Sequence, residues 1–271
     1  MKIIVQVAIV VLFKIIFFKN VIITADKLIT DELKSTLSMR TLYLEDGYLQ
    51  EFDATVEWAN SDGIILDRTA FYPQSGGQPS DTGFLLKDEQ EFDVLRVEAP
   101  GLAHIVDRMG LGEGDSVHGI IDWGRRYRLM RSHTACHILS AVIFQETGAK
   151  ITGNQIDLTR SRIDFSLELF DKTKIAEYVD RANEIINEDH RVGAAVLPKA
   201  EALIIPDLVR LAMDLPDREE IRVVDVEGVD AQACGGTHVR STIEVGGIRL
   251  IKSENKGKAN RRVYFELVDG D

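Results

Sequence analysis

His133 and His137 stand four residues apart, and a helix through them would stack both imidazoles on one face. Roughly a hundred residues later, Cys234-Gly235-Gly236-Thr237-His238 offers a thiol and a third imidazole. The paired glycines let the backbone bend so that Cys234 and His238 can face one point. Zinc prefers nitrogen and sulfur ligands, so His133, His137, Cys234 and His238 form a candidate Zn2+ site. Either pair alone would read as ordinary helix surface or loop. Together they use three of the six histidines and one of the two cysteines, which favours a metal. Four protein ligands are the number of a closed, structural zinc, whereas a catalytic zinc keeps a place for water or substrate. Two arrangements stay open: three firm ligands with a weak fourth, or a zinc that holds substrate while a separate water attacks. Cys136 lies about 100° around the helix from His137. It reads as a buried small apolar residue.

The second informative stretch is Thr69 to Gly83. Phe71, Tyr72 and Pro73 form an apolar lip, Gly76 and Gly77 allow a ligand or another backbone close, and Gln78 and Asp81 add polar groups at a turn. A plain loop joining two strands accounts for the same residues.

The elements that must position these groups change character once along the chain. From Arg40 to about Trp123, brief β-type runs alternate with glycine turns: Thr55–Trp58, Gly63–Asp67, Gly83–Lys87, Phe92–Val97 and Ser116–Ile121. They predict a small antiparallel β-barrel over residues 39–123. Arg125–Thr147 carries helical spacing, with its apolar residues mostly on one side and Gly148 as a cap. Ile163–Leu169 alternates as a strand, Lys174–Glu188 is an amphipathic helix, and Ala200–Met213 reads as a helix interrupted near Pro206. Strands are expected at Ile221–Glu227, Ile248–Lys252 and Arg262–Val268. The fold class is α+β: the barrel, then a two-layer α+β domain over residues 124–271.

Residues Ile3–Ile23 are nearly continuously apolar, with Lys14 near the middle, where a charge costs roughly 2.5–3.5 kcal/mol in a membrane. Residues 1–38 are therefore a membrane anchor or signal, a poorly packed leader, or the product of a start assigned too early, with Met39 as the true start. The chain has 271 residues and a formal net charge of −12. That charge excludes a uniformly basic surface, so any nucleic-acid contact must be local. Two clusters qualify: Arg125, Arg126, Arg128 and Arg131, and a C-terminal group of Arg249, Lys252, Lys256, Lys258, Arg261 and Arg262. Each reads equally as a solvated face. Two cysteines make no disulfide framework and suit a reducing compartment.

With these residues in place, the chain resembles the editing domain of alanyl-tRNA synthetase and its free-standing relatives, the AlaX trans-editing proteins. Three segments carry the resemblance: Phe71–Gly83, His133–His137 and Cys234–His238. Arg162-Ile163-Asp164-Phe165 and Arg222-Val223-Val224-Asp225 are similar in kind, and the likeness runs from about Arg40 to Val268. No segment is left over for an aminoacylation domain, and the glycine-rich motif (Gly76, Gly77, Gln78, Asp81) resembles that of the medium-length class. The resemblance implies a cytoplasmic zinc-dependent hydrolase that cleaves the aminoacyl ester of tRNA(Ala) mischarged with serine or glycine, without ATP and without a dinucleotide cofactor. Candidates for the group that recognises a seryl hydroxyl are Thr134, Thr152 and Thr237, and Gln232 is a candidate for orienting a ligand or water. Lys256, Lys258, Arg261 and Arg262 are the expected tRNA contacts. A zinc-stabilised RNA-binding module without catalysis is the alternative. A membrane-tethered hydrolase of small esters or amides would follow if the leader were an anchor.

Overall fold

Alternation of small and apolar residues with polar ones builds the first half. Glu51–Asn60 (β2) turns Phe52, Ala54 and Val56 inward and polar neighbours outward. Gly63–Leu66 (β3), Gly83–Lys87 (β5), Gln90–Glu98 (β6), Ala103–Val106 (β7) and Ser116–Ile121 (β8) join it in a closed antiparallel barrel of order β2-β3-β7-β6-β5-β8. Arg40–Thr41 (β1) and Arg68–Thr69 (β4) pair in parallel beside it. The interior is filled by Phe52, Val56, Leu66, Phe71, Leu85, Phe92 and Val117, each contributing about 1.5–3 kcal/mol of burial. Strand β7 was not expected from the sequence. Four residues around His104 carry too short a pattern, yet without them the barrel would have an open edge.

The computed structural model describes residues 39–168, 171–209, 218–257 and 259–268, and residues 39–271 group as one compact unit. The apolar leader and Lys258 lie outside the described residues, as does the far end of the helix expected over Ala200–Met213. The described part of that helix is one turn, Lys199–Ala202, because Pro206 lacks an N–H to continue it and Asp207 turns to a positive φ of 54°. Among the described residues no helix is long and apolar enough to cross a membrane.

The long helix Trp123–Thr147 starts where the Asp122 side chain accepts the Arg125 N–H at 3.1 Å and ends at Gly148, whose φ of 67° suits glycine. Its second half differs from expectation. Residues 132–143 are buried on every side rather than along one stripe. The barrel faces one flank, and sheets and a second helix cover the others, so this helix is a central strut. The amphipathic helix Lys172–Asn187 packs on it through Ile175, Val179, Ala182, Ile185 and Ile186. Ile151–Gln155 (β9), Ser161–Phe165 (β10), Val192–Pro198 (β11), Glu220–Val226 (β12), Asp230–Ala233 (β13), Ile248–Asn255 (β14) and Arg261–Leu267 (β15) complete the core. They form an antiparallel sheet β14-β15-β10-β9 and a second sheet β11-β12-β13. Strands β9, β11 and β13 were not legible, since each owes its state to its partners.

His104 shows how the barrel handles a buried polar ring. Its Nδ1 donates to the Ile64 carbonyl at 3.1 Å and its Nε2 accepts from the Thr69 hydroxyl at 2.8 Å. Burial pushes its pKa down to about 4. The folded state therefore favours the neutral ring, and this stability is present above pH 6.5 and lost as pH falls from there through 4. The loss amounts to about 3 kcal/mol. Denaturant midpoints taken between pH 7 and 4 should fall less steeply in His104→Gln than in the parent; parallel curves would show that His104 is not the titrating group.

Candidate metal centre

The long helix brings His133 and His137 to one face, and the loop after β13 brings Cys234 and His238 opposite them. The four ligand atoms lie within 4.8 Å of one another. Cys234 Sγ is 3.6 Å from His133 Nε2 and 3.4 Å from His238 Nε2. A zinc tetrahedron with one sulfur and three nitrogen ligands has edges of about 3.5 Å, so the donor set and its spacing fit that metal.

Each imidazole is held from behind through its Nδ1, which leaves its Nε2 for the centre. His133 Nδ1 donates to Gln78 Oε1 at 2.8 Å, His137 Nδ1 to Asp230 Oδ2 at 3.1 Å, and His238 Nδ1 to Thr134 Oγ1 at 3.1 Å. Such partners fix ring orientation and raise ligand basicity. Gln232 donates to the same Asp230 oxygen at 2.7 Å. Arg222 holds the Cys-Gly-Gly turn by donating to the carbonyls of Cys234 at 2.8 Å and Gly236 at 3.0 Å. Gly236 leaves no room for a side chain, because a Cβ there would stand 2.1 Å from His133 Cε1.

Electrostatics suit ligation. Burial would raise the Cys234 thiol, but the imidazoles of His133 and His238 hold it well below its ordinary value. Burial and the neighbouring His133 push His238 down to about 3, so it is neutral at pH 7. Burial would also lower His137, yet hydrogen bonding to Asp230 and to Cys234 raises it to about 10. A metal held by His137 would take the place of that proton.

The cluster opens into a cavity of about 840 Å³ between the barrel and the core. Tyr72, Pro73 and Ser75 to Gly77 form one wall, β9 another, and His133, His137 and Cys234 the floor. No carboxylate lines it, and Arg218 is the one charged side chain at its rim among the described residues. The glycine-rich motif does more than turn. Gly77 packs so tightly on β9 that a Cβ would meet Asn154 Oδ1 at 2.4 Å. Gln78 is fully buried, and its Nε2 donates to Thr237 Oγ1 at 2.9 Å while its Oε1 accepts from His133. Asp81 is not at the cavity; it pairs with Arg126 at the barrel junction.

Of the four polar candidates, Gln232 and Thr152 line the cavity, while Thr134 and Thr237 are buried behind the ligands and engaged there. The basic clusters change meaning. Arg125, Arg126, Arg128 and Arg131 are spent on main-chain carbonyls and Asp81, not on a solvated face. Arg261 is buried, donating to the Gly257 and Glu168 carbonyls, and so braces its hairpin. Arg262 is bidentate to Asp164, and Lys256 is exposed and pairs with Glu254. Sequence reasoning missed Asp230 and Arg222 as supports of the site; a buried Asp three residues before a histidine-facing strand end gives no local signal.

Comparison with known proteins adds to this geometry. The family described as "Threonyl and Alanyl tRNA synthetase second additional domain" matches residues 221–264, and that described as "tRNA synthetases class II (A)" matches residues 19–125. The chain is 50% identical over 239 residues to alanyl-tRNA editing protein AlaX-M of Methanosarcina barkeri, covering 84% of this chain and 98% of the relative. It is 44% identical to AlaX-M of Saccharolobus solfataricus over 83% of this chain and 98% of the relative. It is 36% identical to the alanine–tRNA ligase of Pyrococcus furiosus over 86% of this chain, but spans only 26% of the ligase.

Proposed function

Because the chain belongs to the family of alanyl-tRNA editing proteins AlaX-M, we propose that it is a zinc-dependent trans-editing hydrolase that removes serine, and secondarily glycine, from mischarged tRNA(Ala) in the cytoplasm. The observation that carries this reading is the three-histidine, one-thiolate cluster, of which His133, His137 and Cys234 reach the floor of a cavity that no carboxylate lines among the described residues. A cavity of about 840 Å³ takes an aminoacyl group and the ribose that bears it. Arg218 at the rim suits a ligand with a phosphate at its far end.

His133, His137, Cys234 and His238 would hold the zinc, which supplies Lewis-acid polarisation of an ester carbonyl. Gln78, Asp230 and Thr134 keep the three rings aimed. Thr152 is the one threonine of the three candidates that reaches the cavity, and we assign it the seryl hydroxyl. Thr152 is exposed and its hydroxyl donates to Asn260 Oδ1 at 3.4 Å, a partner it could exchange for a seryl hydroxyl.

The test is to incubate the purified chain with seryl-, glycyl- and alanyl-tRNA(Ala), with and without a chelator. Seryl ester should be lost fastest and alanyl spared, with the chelated sample inactive; Thr152→Val should narrow the gap between seryl and glycyl substrates. RNA binding without any ester cleavage would instead mark a zinc-stabilised RNA-binding module, the reading that a closed four-ligand set would favour.

A further inference from the structure

The outer face of the sheet β14-β15-β10-β9 carries an arrangement that the metal centre does not use. Ile163, Phe165, Val263 and Phe265 turn inward onto the long helix, so the alternate residues face outward. Register lines these up in rows across the sheet. One row runs Gln155, Arg162, Tyr264, Lys252; the next runs Gly153, Asp164, Arg262, Glu254.

Tyr264 thus sits in mid-face with Arg162 opposite on one side and Lys252 on the other. Lys252 Nζ lies 4.7 Å from its ring centroid, the Arg160 guanidinium 5.3 Å and that of Arg262 5.9 Å. Arg162 and Arg262 share the carboxylate of Asp164. Lys252 pairs with Glu254 at 2.7 Å, and Arg160 is exposed and forms no ion pair among the described residues. Four cations therefore stand against two carboxylates around one aromatic ring, in a chain whose net charge is −12.

The edge strand β9 joins this face to the cavity. Thr152, Gly153 and Asn154 line the cavity, while Gly153 and Gln155 end the two rows. Two strand spacings, about 10 Å, separate β9 from the strand that bears Tyr264.

The geometry points to this face as the docking platform for the unpaired 3′ end of tRNA, with a base stacked on Tyr264 and phosphates held by Arg160, Arg162 and Lys252. This rests on the reading of the chain as acting on aminoacyl-tRNA. Single-stranded nucleic acid is bound by this combination of an aromatic ring and a cationic track, because every base has a π-face and every linkage a charge. A double helix would be met by shape and by 2′-hydroxyl and phosphate contacts, with no call for a central ring. The terminal ribose would enter the cavity past β9, and the nucleotides before it would cross the platform.

The experiment measures binding of a fluorescent RNA oligonucleotide with an unpaired CCA end to the full, metal-loaded chain at several salt concentrations. Tyr264→Ala should weaken binding about tenfold or more, while Tyr264→Phe, which keeps the ring, stays near the parent. Arg160→Ala should reduce the slope of log K against log salt by about 0.7. With mischarged tRNA, Tyr264→Ala should raise KM and leave kcat unchanged, and hydrolysis of seryl-adenosine, which lacks the preceding nucleotides, should not change. Unaltered RNA affinity in Tyr264→Ala overturns the platform, as does a polyglutamate peptide that binds as well as RNA with no dependence on Tyr264, since that marks a non-selective cationic patch. A parent protein that cleaves no mischarged tRNA would defeat the proposed function alone; the oligonucleotide binding still decides the platform.

Discussion

The parent protein is expected to purify with close to one zinc ion per chain, and Cys234→Ala with little or none. The binding free energy of a structural zinc, roughly 10–16 kcal/mol, is spread over four ligands, so losing one weakens affinity on the order of a hundredfold to a thousandfold or more. His133→Ala should do the same, because its Nε2 lies 3.6 Å from the Cys234 sulfur, on the same small set of ligand atoms. Replacing a supporting residue is milder. Gln78→Ala frees the His133 ring from behind and should cost about 10–100-fold in metal affinity. Gly236→Ala should resemble a ligand loss, since its Cβ would collide with the His133 ring. Metal content by elemental analysis, followed by deacylation of mischarged tRNA, orders these variants. Stoichiometric zinc in Cys234→Ala, or full hydrolysis by a metal-free protein, would refute the site.

Arg126→Met is expected to lower the melting temperature by about 10 °C. Arg126 leaves the first turns of the long helix and enters the barrel junction with its side chain fully buried. Its Nε is 2.9 Å from both oxygens of Asp81, and its two terminal nitrogens donate to the Gly47 carbonyl at 2.9 Å and the Ala70 carbonyl at 2.6 Å. Removing the guanidinium strands a buried carboxylate, which costs about 3–5 kcal/mol. In a folded unit of this size each kcal/mol shifts the melting temperature by roughly 2–4 °C. The double variant Arg126→Met/Asp81→Leu should recover part of the loss, because no charge is then left unpaired. Calorimetric scans of the three proteins check this. A single variant that melts with the parent would mean that the junction is held by apolar packing alone.

The sequence by itself determined which residues could hold a metal. Imidazole and thiol are recognisable by type, the four-residue spacing places two of them on one helix face, and the double glycine before Thr237 bends the other pair inward. It also determined the order of barrel and α+β core, because alternation and helical spacing are local properties, and with them the family. What it left open was decided by contacts between distant residues. Gln78 reaches His133 across 55 positions, Asp230 reaches His137 across 93, and Thr134 reaches His238 across 104. No periodicity encodes such pairings. The helix through His133 was expected to bury one stripe and is enclosed on all sides, since burial depends on what surrounds a helix. Arginines adjacent in sequence read as a charged face until the tertiary structure spent Arg126 on Asp81 and Arg261 on its own hairpin. Conversely, Arg162, Lys252 and Tyr264, far apart in the chain, became one surface only through strand register. A side chain's chemistry is written in its type, but whether that chemistry is free to act depends on which partners the fold brings within a few ångströms.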